Sequence, residues 1–185
     1  MLNRWHDALS WLGERSDMQP KAILFAGANG AGKTTFARNV LPIDHPDCPF
    51  FLNADEIQRE APQFASPISA GRELLRRLAS HLARSETFAV ETTLSSISYA
   101  RQIPVWRQAG YVVWLYYLEV ESADLSITRV AQRVASGGHG IPEADIRRRV
   151  DRSRKLWPTY RSSVDAWYHL MADAKGTTIV AQNIA

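Results

Sequence analysis

Ten residues constrain this chain more than any others: AGANGAGKTT, residues 26 to 35, set between the apolar run Lys21 to Phe25 and the residues Phe36, Ala37 and Val40. Gly27, then Gly32 after four residues, then Lys33 and Thr34 match the spacing of a phosphate-binding loop lying between a strand and a helix. Glycine at 27, 30 and 32 permits tight turns and leaves no side chain in the way of an approaching phosphate. Backbone N–H groups can then point inward, and the following helix presents about half a positive charge to the same anion. The pattern assigns Gly27, Ala28, Asn29, Gly30, Ala31, Gly32, Lys33, Thr34 and Thr35 to ATP. Lys33 would reach the β- and γ-phosphates, and the Thr34 hydroxyl would coordinate magnesium.

A chain of 185 residues suits one domain able to bury its own core. With a single cysteine, Cys48, no intramolecular disulfide can form. The amino terminus lacks an uninterrupted apolar signal core and no run is long enough to span a membrane, so the expected location is the cytoplasm. The net charge of +3 conceals an asymmetry. Residues 129 to 161 hold nine Arg or Lys against Glu143, Asp145 and Asp151, which makes that segment +6 and the remainder −3. Such a segment suits either phosphate clamping or nucleic acid. Its only aromatics are Trp157 and Tyr160, which disfavours a base-stacking surface.

Periodicity places the elements. Leu2, Trp5, Leu9 and Leu12 predict an amino-terminal helix within residues 1–14 that stops at Gly13. Lys21 to Ala26 reads as a buried strand, and Thr34 to Val40 as a helix ending before Pro42. A strand at Phe50 to Asn53 leads to Asp55. A long helix starts at Ser66 with Pro67 in its first turn and Gly71, Leu74, Leu75, Leu78 and Leu82 on its apolar stripe. Thr87 to Val90 predicts a strand ending at Glu91. Ser96 to Gln108 reads as a helix that Pro104 should kink or shorten. Tyr111 to Leu118 is apolar enough for a strand buried on both faces.

Ser122 is placed to cap a helix with Ile127, Val130, Ala131 and Val134 toward the core and Arg129 and Arg133 on the opposite side. Gly137, Gly138 and Gly140 end it. Pro142 opens another helix, with Ile146, Val150, Ser153 and Trp157 on one face and Arg147, Arg148, Arg152 and Arg154 mostly away from it. Residues 122–161 thus form a basic helical hairpin or lid on a core at 21–121. In the segment 162–185, Thr177 to Val180 adds an edge strand. Alternating strands and helices imply an α/β fold, a parallel sheet flanked by helices on both faces, with its ligand crevice beyond the strand carboxyl ends.

Three strand ends deliver polar groups to that crevice: the loop 27–35, then Asn53 and Asp55, then Glu91, Thr92 and Thr93. Asp55 could accept a proton from an alcohol while the loop holds a γ-phosphate, or it could cap a short helix starting near Glu56. Glu91 at the end of an apolar strand should meet a cation, a hydroxyl or hydrated magnesium, or else pair with an arginine. Thr92 and Thr93 could bond substrate. Arg133 is best placed to close over ATP, with Arg129, Arg147 and Arg148 competing for that role, and His139 could touch phosphate.

Taken together, FAGANGAGKTTFA, FLNADEI, AGRELL, FAVETTLS, GYVVWLYYLEVES and RVAQRVASGGHGIPEADIRRRVDRS, in that order, resemble the zeta toxin family, in particular its compact bacterial zeta-like P-loop kinases. The resemblance implies a single P-loop kinase domain over residues 1–185 that uses ATP and magnesium. It implies UDP-N-acetylglucosamine as acceptor, phosphorylated on the sugar 3′-hydroxyl, and a toxin–antitoxin system with a separate antitoxin protein. It places the phosphate-binding lysine at Lys33, the base at Asp55, the substrate-contacting glutamate at Glu91 and a γ-phosphate arginine at Arg133. His139, Arg147 or Arg148 would stand in for a second arginine. The ending WYHLMADAKGTTIVAQNIA lacks the Asp-Asn-Ser sequence of the compact branch. Another sugar, a nucleotide or an antibiotic as acceptor, and a nucleotide-switched RNA-binding module, are the competing readings.

Overall fold

Six buried residues, Lys21–Ala26, make the central strand β1 in a computed structural model that describes residues 19–138 and 140–184. The chain continues through α1 (Lys33–Asp44), β2 (Phe50–Leu52), α2 (Ala54–Glu60), a 3₁₀ turn (Pro62–Phe64), α3 (Pro67–Ala83), β3 (Phe88–Thr92) and α4 (Ser98–Gln108). Then follow β4 (Val112–Val120), α5 (Ala123–Ala135), α6 (Glu143–Arg161), β5 (Ala166–Asp173) and β6 (Gly176–Ile184). The six strands form one sheet in the order β2-β3-β1-β4-β5-β6. All neighbouring pairs are parallel except β5 with the edge strand β6. The expected amino-terminal helix lies outside the described residues.

Alternate side chains of each central strand enter two cores. Ala22, Leu24, Val90 and Leu115 pack with Leu74 and Leu78 of α3 and Ile103 and Trp106 of α4. Ile23, Phe25, Tyr116 and Leu118 pack with Ala37, Val40 and Leu41 of α1. Two-sided burial explains why β1 and β4 read as continuous apolar runs. Among the described residues no helix is long and apolar enough to cross a membrane.

Several local expectations are corrected. α1 runs past Pro42, and α4 contains Pro104 without ending there. A helix-interior proline costs roughly 3 kcal/mol, but Ile103 and Trp106 beside Pro104 are buried, each contributing about 1.5–3 kcal/mol. The buried side of α3 is Ala70, Leu74, Leu78 and His81, while Leu75 is exposed. The buried residues of α5 are Ser126 and Val130, with Val134 exposed. This helix is therefore rolled about its axis relative to the expected stripe, which turns Arg129 and Arg133 inward rather than away. β5 had no counterpart in the periodicity reading, and β6 is longer than Thr177 to Val180.

His45 follows α1 and donates its backbone N–H to Leu41 O at 3.0 Å. Its ring is 2% exposed, stands edge-on to Trp114, and places Nε2 2.9 Å from the Tyr116 hydroxyl. Burial, and secondarily the Lys21 charge, push its pKa down from 6.5 to about 4. The folded state therefore holds this imidazole neutral while the unfolded chain protonates near its ordinary value. The contribution is intact above that value and is lost as pH falls from 6.5 toward 4, up to roughly 3 kcal/mol. Thermal melts across this range should show the midpoint falling with pH, and a His45→Gln variant should show a flatter dependence.

Candidate active site

The order β2-β3-β1 puts the end of β3 between the two elements that follow β1 and β2. Glu91 sits in register beside Phe25 of β1, one residue beyond the last pairing of β3 with β2, Leu52 with Val90. Its carboxylate is reached from both sides. Thr34 Oγ1 donates to Glu91 Oε2 at 2.6 Å, Asn53 Nδ2 donates to the same oxygen at 2.8 Å, and Lys33 Nζ lies 3.4 Å from Oε1. Lys33 also donates to Ala28 O at 2.9 Å and is 5% exposed.

The loop between β1 and α1 has the backbone its glycines allow. Gly27 has φ 144° and a Cβ there would lie 2.2 Å from Leu118 O of β4. Gly30 has φ 79°, and a Cβ would press on Ser126 O at 2.8 Å. Only glycine combines those angles with those approaches. Ala28, Asn29 and Ala31 are buried, and Thr35 is exposed on α1. Thr34 Oγ1 and the Glu91 carboxylate supply hard oxygen donors of the kind magnesium takes, so this corner fits the ion that nucleotide phosphates carry.

Asn53, not Asp55, caps α2: its Oδ1 accepts from the backbone N–H groups of Asp55 and Glu56. This corrects the capping alternative for Asp55, whose carboxylate is left to face the crevice. There Arg133 Nη1 lies 3.2 Å from Asp55 Oδ2, with both side chains substantially exposed. Arg133 is positioned by the end of α5. Gly137, at φ 84°, donates to Val134 O at 2.9 Å and Gly138 donates to Arg133 O at 2.8 Å, the paired bonds of a Schellman motif. A Cβ on Gly138 would meet Arg133 Cγ at 2.6 Å, so this glycine lets the arginine stem lie flat against the turn.

A cavity of about 400 Å³ collects Asn29, Lys33, Asn53, Asp55, Glu91, Thr92, Thr93 and Arg133, and its far wall is Ile141, Asp145 and Arg149 of the α5–α6 connection and α6. A second hollow of about 480 Å³ adjoins it across the Asp55–Arg133 pair. The other basic candidates are elsewhere. Arg129 donates to Gly30 O at 3.2 Å and Asp173 O at 2.6 Å, tying α5 to the phosphate loop. Arg147 pairs with Asp124 and Arg148 with Asp145, and neither lines the cavity. His139 lies outside the described residues.

Arg149 was not among the sequence candidates. It donates from Nη1 to Asn29 Oδ1 at 2.8 Å, reaching into the phosphate loop. The signal was its place three residues after Ile146 and directly before Val150, on the flank of the buried stripe of α6.

A model of the zeta toxin family matches residues 9–156. The chain belongs to the zeta toxin family. An uncharacterized protein of Haemophilus influenzae is 30% identical over 139 residues, covering 71% of this chain and 94% of that one. A structure from the PezAT chromosomal toxin–antitoxin system of Streptococcus pneumoniae superposes with TM-score 0.64 at 18% identity, over 97% of this chain and 78% of that one. The AvrRxo1-ORF1:-ORF2 complex with ATP superposes with TM-score 0.67 at 18% identity, over 89% of this chain and 58% of that one. At such identities these structures speak for the fold, that of P-loop kinases.

Asn53 links helix cap and site, so its variants should separate the two. Asn53→Ala removes the cap and the Nδ2 hydrogen bonds to Glu91 and Thr34 and is expected to lower unfolding free energy by about 2 kcal/mol. Asn53→Asp keeps a cap but sets a second carboxylate against Glu91. Denaturant titration should find it less destabilised than Asn53→Ala if the cap dominates, and more if the Glu91 contact dominates.

Proposed function

We propose that this protein is an ATP-dependent kinase of a small hydroxyl-bearing acceptor, UDP-N-acetylglucosamine on its sugar 3′-hydroxyl first among them, acting in the cytoplasm as the toxin of a toxin–antitoxin pair. The observation that carries this reading is an uncapped, crevice-facing carboxylate, Asp55, in the same cavity as the phosphate-loop lysine. Membership of the zeta toxin family supports the toxin role, as does the fold shared with a protein of the PezAT toxin–antitoxin system. The AvrRxo1 structure with ATP supports the donor.

In this reading the unit is one P-loop kinase core with residues 122–161 as its lid. The loop N–H groups and Lys33 hold the donor phosphates. Thr34, beside Glu91 and Asn53, holds magnesium, which when bound neutralises charge on the phosphate oxygens. Asp55 takes the proton of the attacking hydroxyl. Arg133 stabilises charge developing on the transferred group. In the resting protein Arg133 and Asp55 occupy one another, but an exposed pair of this kind is worth at most about 1 kcal/mol. A terminal phosphate carries more charge than one carboxylate and draws Arg133 away, which releases Asp55 to the acceptor. Thr92 and Thr93, on the cavity wall, contact that acceptor.

The RNA-binding alternative draws less support. Arg147, Arg148 and Arg154 of the basic helix are engaged by Asp124, Asp145 and Glu119, which reduces the charge available to a phosphate backbone.

Purified protein incubated with magnesium, ATP and UDP-N-acetylglucosamine should yield a sugar nucleotide heavier by one phosphate in mass spectrometry. Asp55→Asn should lower its formation by about 10²- to 10⁴-fold. ATP binding without this product would move the search to other hydroxyl compounds.

A further inference from the structure

Among the described residues, β6 is the barest strand of the sheet. It pairs with β5 along one side and stands at the end of the strand order, with no described strand beyond it. Residues 176–183 are all exposed, so both faces are open as well as the outer edge. A free edge is a row of unpaired N–H and C=O groups, and folds blunt such rows with short strands, lysine or proline. The opposite edge follows that rule, since β2 has three residues. β6 has nine, and in a chain of which 22% is charged it holds no charged residue and no proline. Thr177, Thr178, Ile179 and Val180 are instead β-branched and favour strand pairing, and Ile179 and Val180 are 41% and 56% exposed.

Such an edge is satisfied by another extended strand, because the groups to be paired are backbone groups repeated along its length. Two features choose between partner strands. The first is charge: a second β6 brings none, so an antiparallel pair of these strands sets no like charges opposite one another. The second is a break in alternation. Pairing with β5 steps from His169 with Ala181 to Leu170 with Ile179, which leaves Val180 as an extra residue, a β-bulge. Thr178 and Asn183 therefore share the face of Met171 and Trp167, while Thr177, Ile179, Gln182 and Ile184 share the face of Ala172, Leu170, Tyr168 and Ala166. A strand without a bulge alternates strictly and matches these faces along one arm only. A second β6 breaks its alternation at the same place. Antiparallel pairing about an axis between Val180 and Ala181 sets Thr177 opposite Ile184, Thr178 opposite Asn183 and Ile179 opposite Gln182, and each pair lies on one face.

We infer that β6 is a self-association surface, through which two copies of this chain pair antiparallel and join their sheets into one. The same strand is used from each copy, so the contact is isologous and closes at two. The outer edges of the joined sheet are then the short β2 strands. No residue of β6 lines either hollow of the crevice, so pairing leaves both crevices open. The inference is independent of the kinase reading.

Sedimentation velocity of the parent protein from about 1 to 100 μM, with amide hydrogen exchange measured alongside, tests this. The protein should pass from monomer to dimer, and exchange should slow along β6 as it does so. Val180→Lys sets two lysines beside the axis and should raise the midpoint concentration by about tenfold or more. Thr178→Lys combined with Asn183→Lys, both at exposed positions, places like charges opposite one another and should weaken the dimer similarly, which keeps the test usable if Val180→Lys fails to fold. Thr178→Lys combined with Asn183→Glu places opposite charges there and should restore it. Ile68→Lys, on the exposed side of α3, should match the parent. A parent that stays monomeric would overturn the inference: β6 amides slow at every concentration would assign the edge to residues 1–18 of the same chain, and fast ones would leave it to a foreign strand. A dimer unchanged by the β6 lysines, lost in Ile68→Lys, or not restored by the opposite-charge pair would place the contact elsewhere and overturn it too.

Discussion

The site is organised by the burial of one carboxylate. Glu91, with its side chain 15% exposed, follows the apolar run Phe88 to Val90 near the end of β3, and taking a carboxylate this far from water costs several kcal/mol unless partners replace the lost hydration. Its partners come from two different elements: Lys33 and Thr34 from α1, and Asn53 from the start of α2. Parallel pairing of β3 between β1 and β2 is what brings those elements to opposite sides of one residue. The cluster therefore serves as a joint between three βα connections, and each partner is placed by a demand of its own. Lys33 closes the phosphate loop, Asn53 caps a helix, and Glu91 lies within a paired strand.

The α5–α6 half of the crevice is held differently. α5 presents Arg133 through a left-handed glycine turn at its end, and α6 presents Arg149 from a helix fixed along its buried face. The anchors of α6 are buried or many: Ser153 meets Tyr117, the Tyr160 hydroxyl donates to Ser96 O at 2.6 Å, and Arg154 joins Glu119, which His169 also holds. The His169 hydrogen bond is the leading reason Glu119 titrates below the usual carboxylate range. The contacts of the two arginines with Asp55 and Asn29 are single bonds at the rim. The helices are thus anchored by buried contacts, whereas these two contacts lie at the crevice rim.

How much of this was legible in the sequence follows from the range of the interactions involved. The phosphate loop, the Ser66 and Ser122 caps and the buried strands β1 and β4 depend on neighbours within a few residues, and the sequence displays them directly. β5 escaped because its burial alternates, Ala166, Tyr168, Leu170 and Ala172 inward against half-buried Trp167, His169 and Met171, so both halves of the pattern are apolar or aromatic. The facing of α5 escaped for a related reason. Its small polar Ser126 is buried under the close approach of Gly30, a tertiary contact that outranks the apolar claims of Ala131 and Val134. Asn53 and Asp55 were both visible, but which of them caps α2 depends on a two-residue difference in where the helix starts. Arg149 was hidden among three consecutive arginines, and only packing distinguishes the inward one.

One violation of local preference lies at the crevice, and it has a physical reason. Leu94 adopts φ 54°, a left-handed conformation that costs a non-glycine residue about 1–3 kcal/mol. It is nevertheless fully buried in the core shared with Ile57 and Tyr117, and burial of a leucine contributes about 1.5–3 kcal/mol. Thr92 Oγ1 further accepts its N–H at 3.3 Å. The side chain is thus driven inward while the backbone must reverse within a few residues of β3, and the strain is the consequence of meeting both demands. That reversal keeps Thr93 and Ser95, 2.8 Å apart at their hydroxyls, on the cavity wall instead of letting β3 run on past it. The prolines inside α1 and α4 break local rules as well, but they sit where buried neighbours outweigh them and no ligand is served. At Leu94 the same balance of core burial against backbone strain shapes one wall of the crevice.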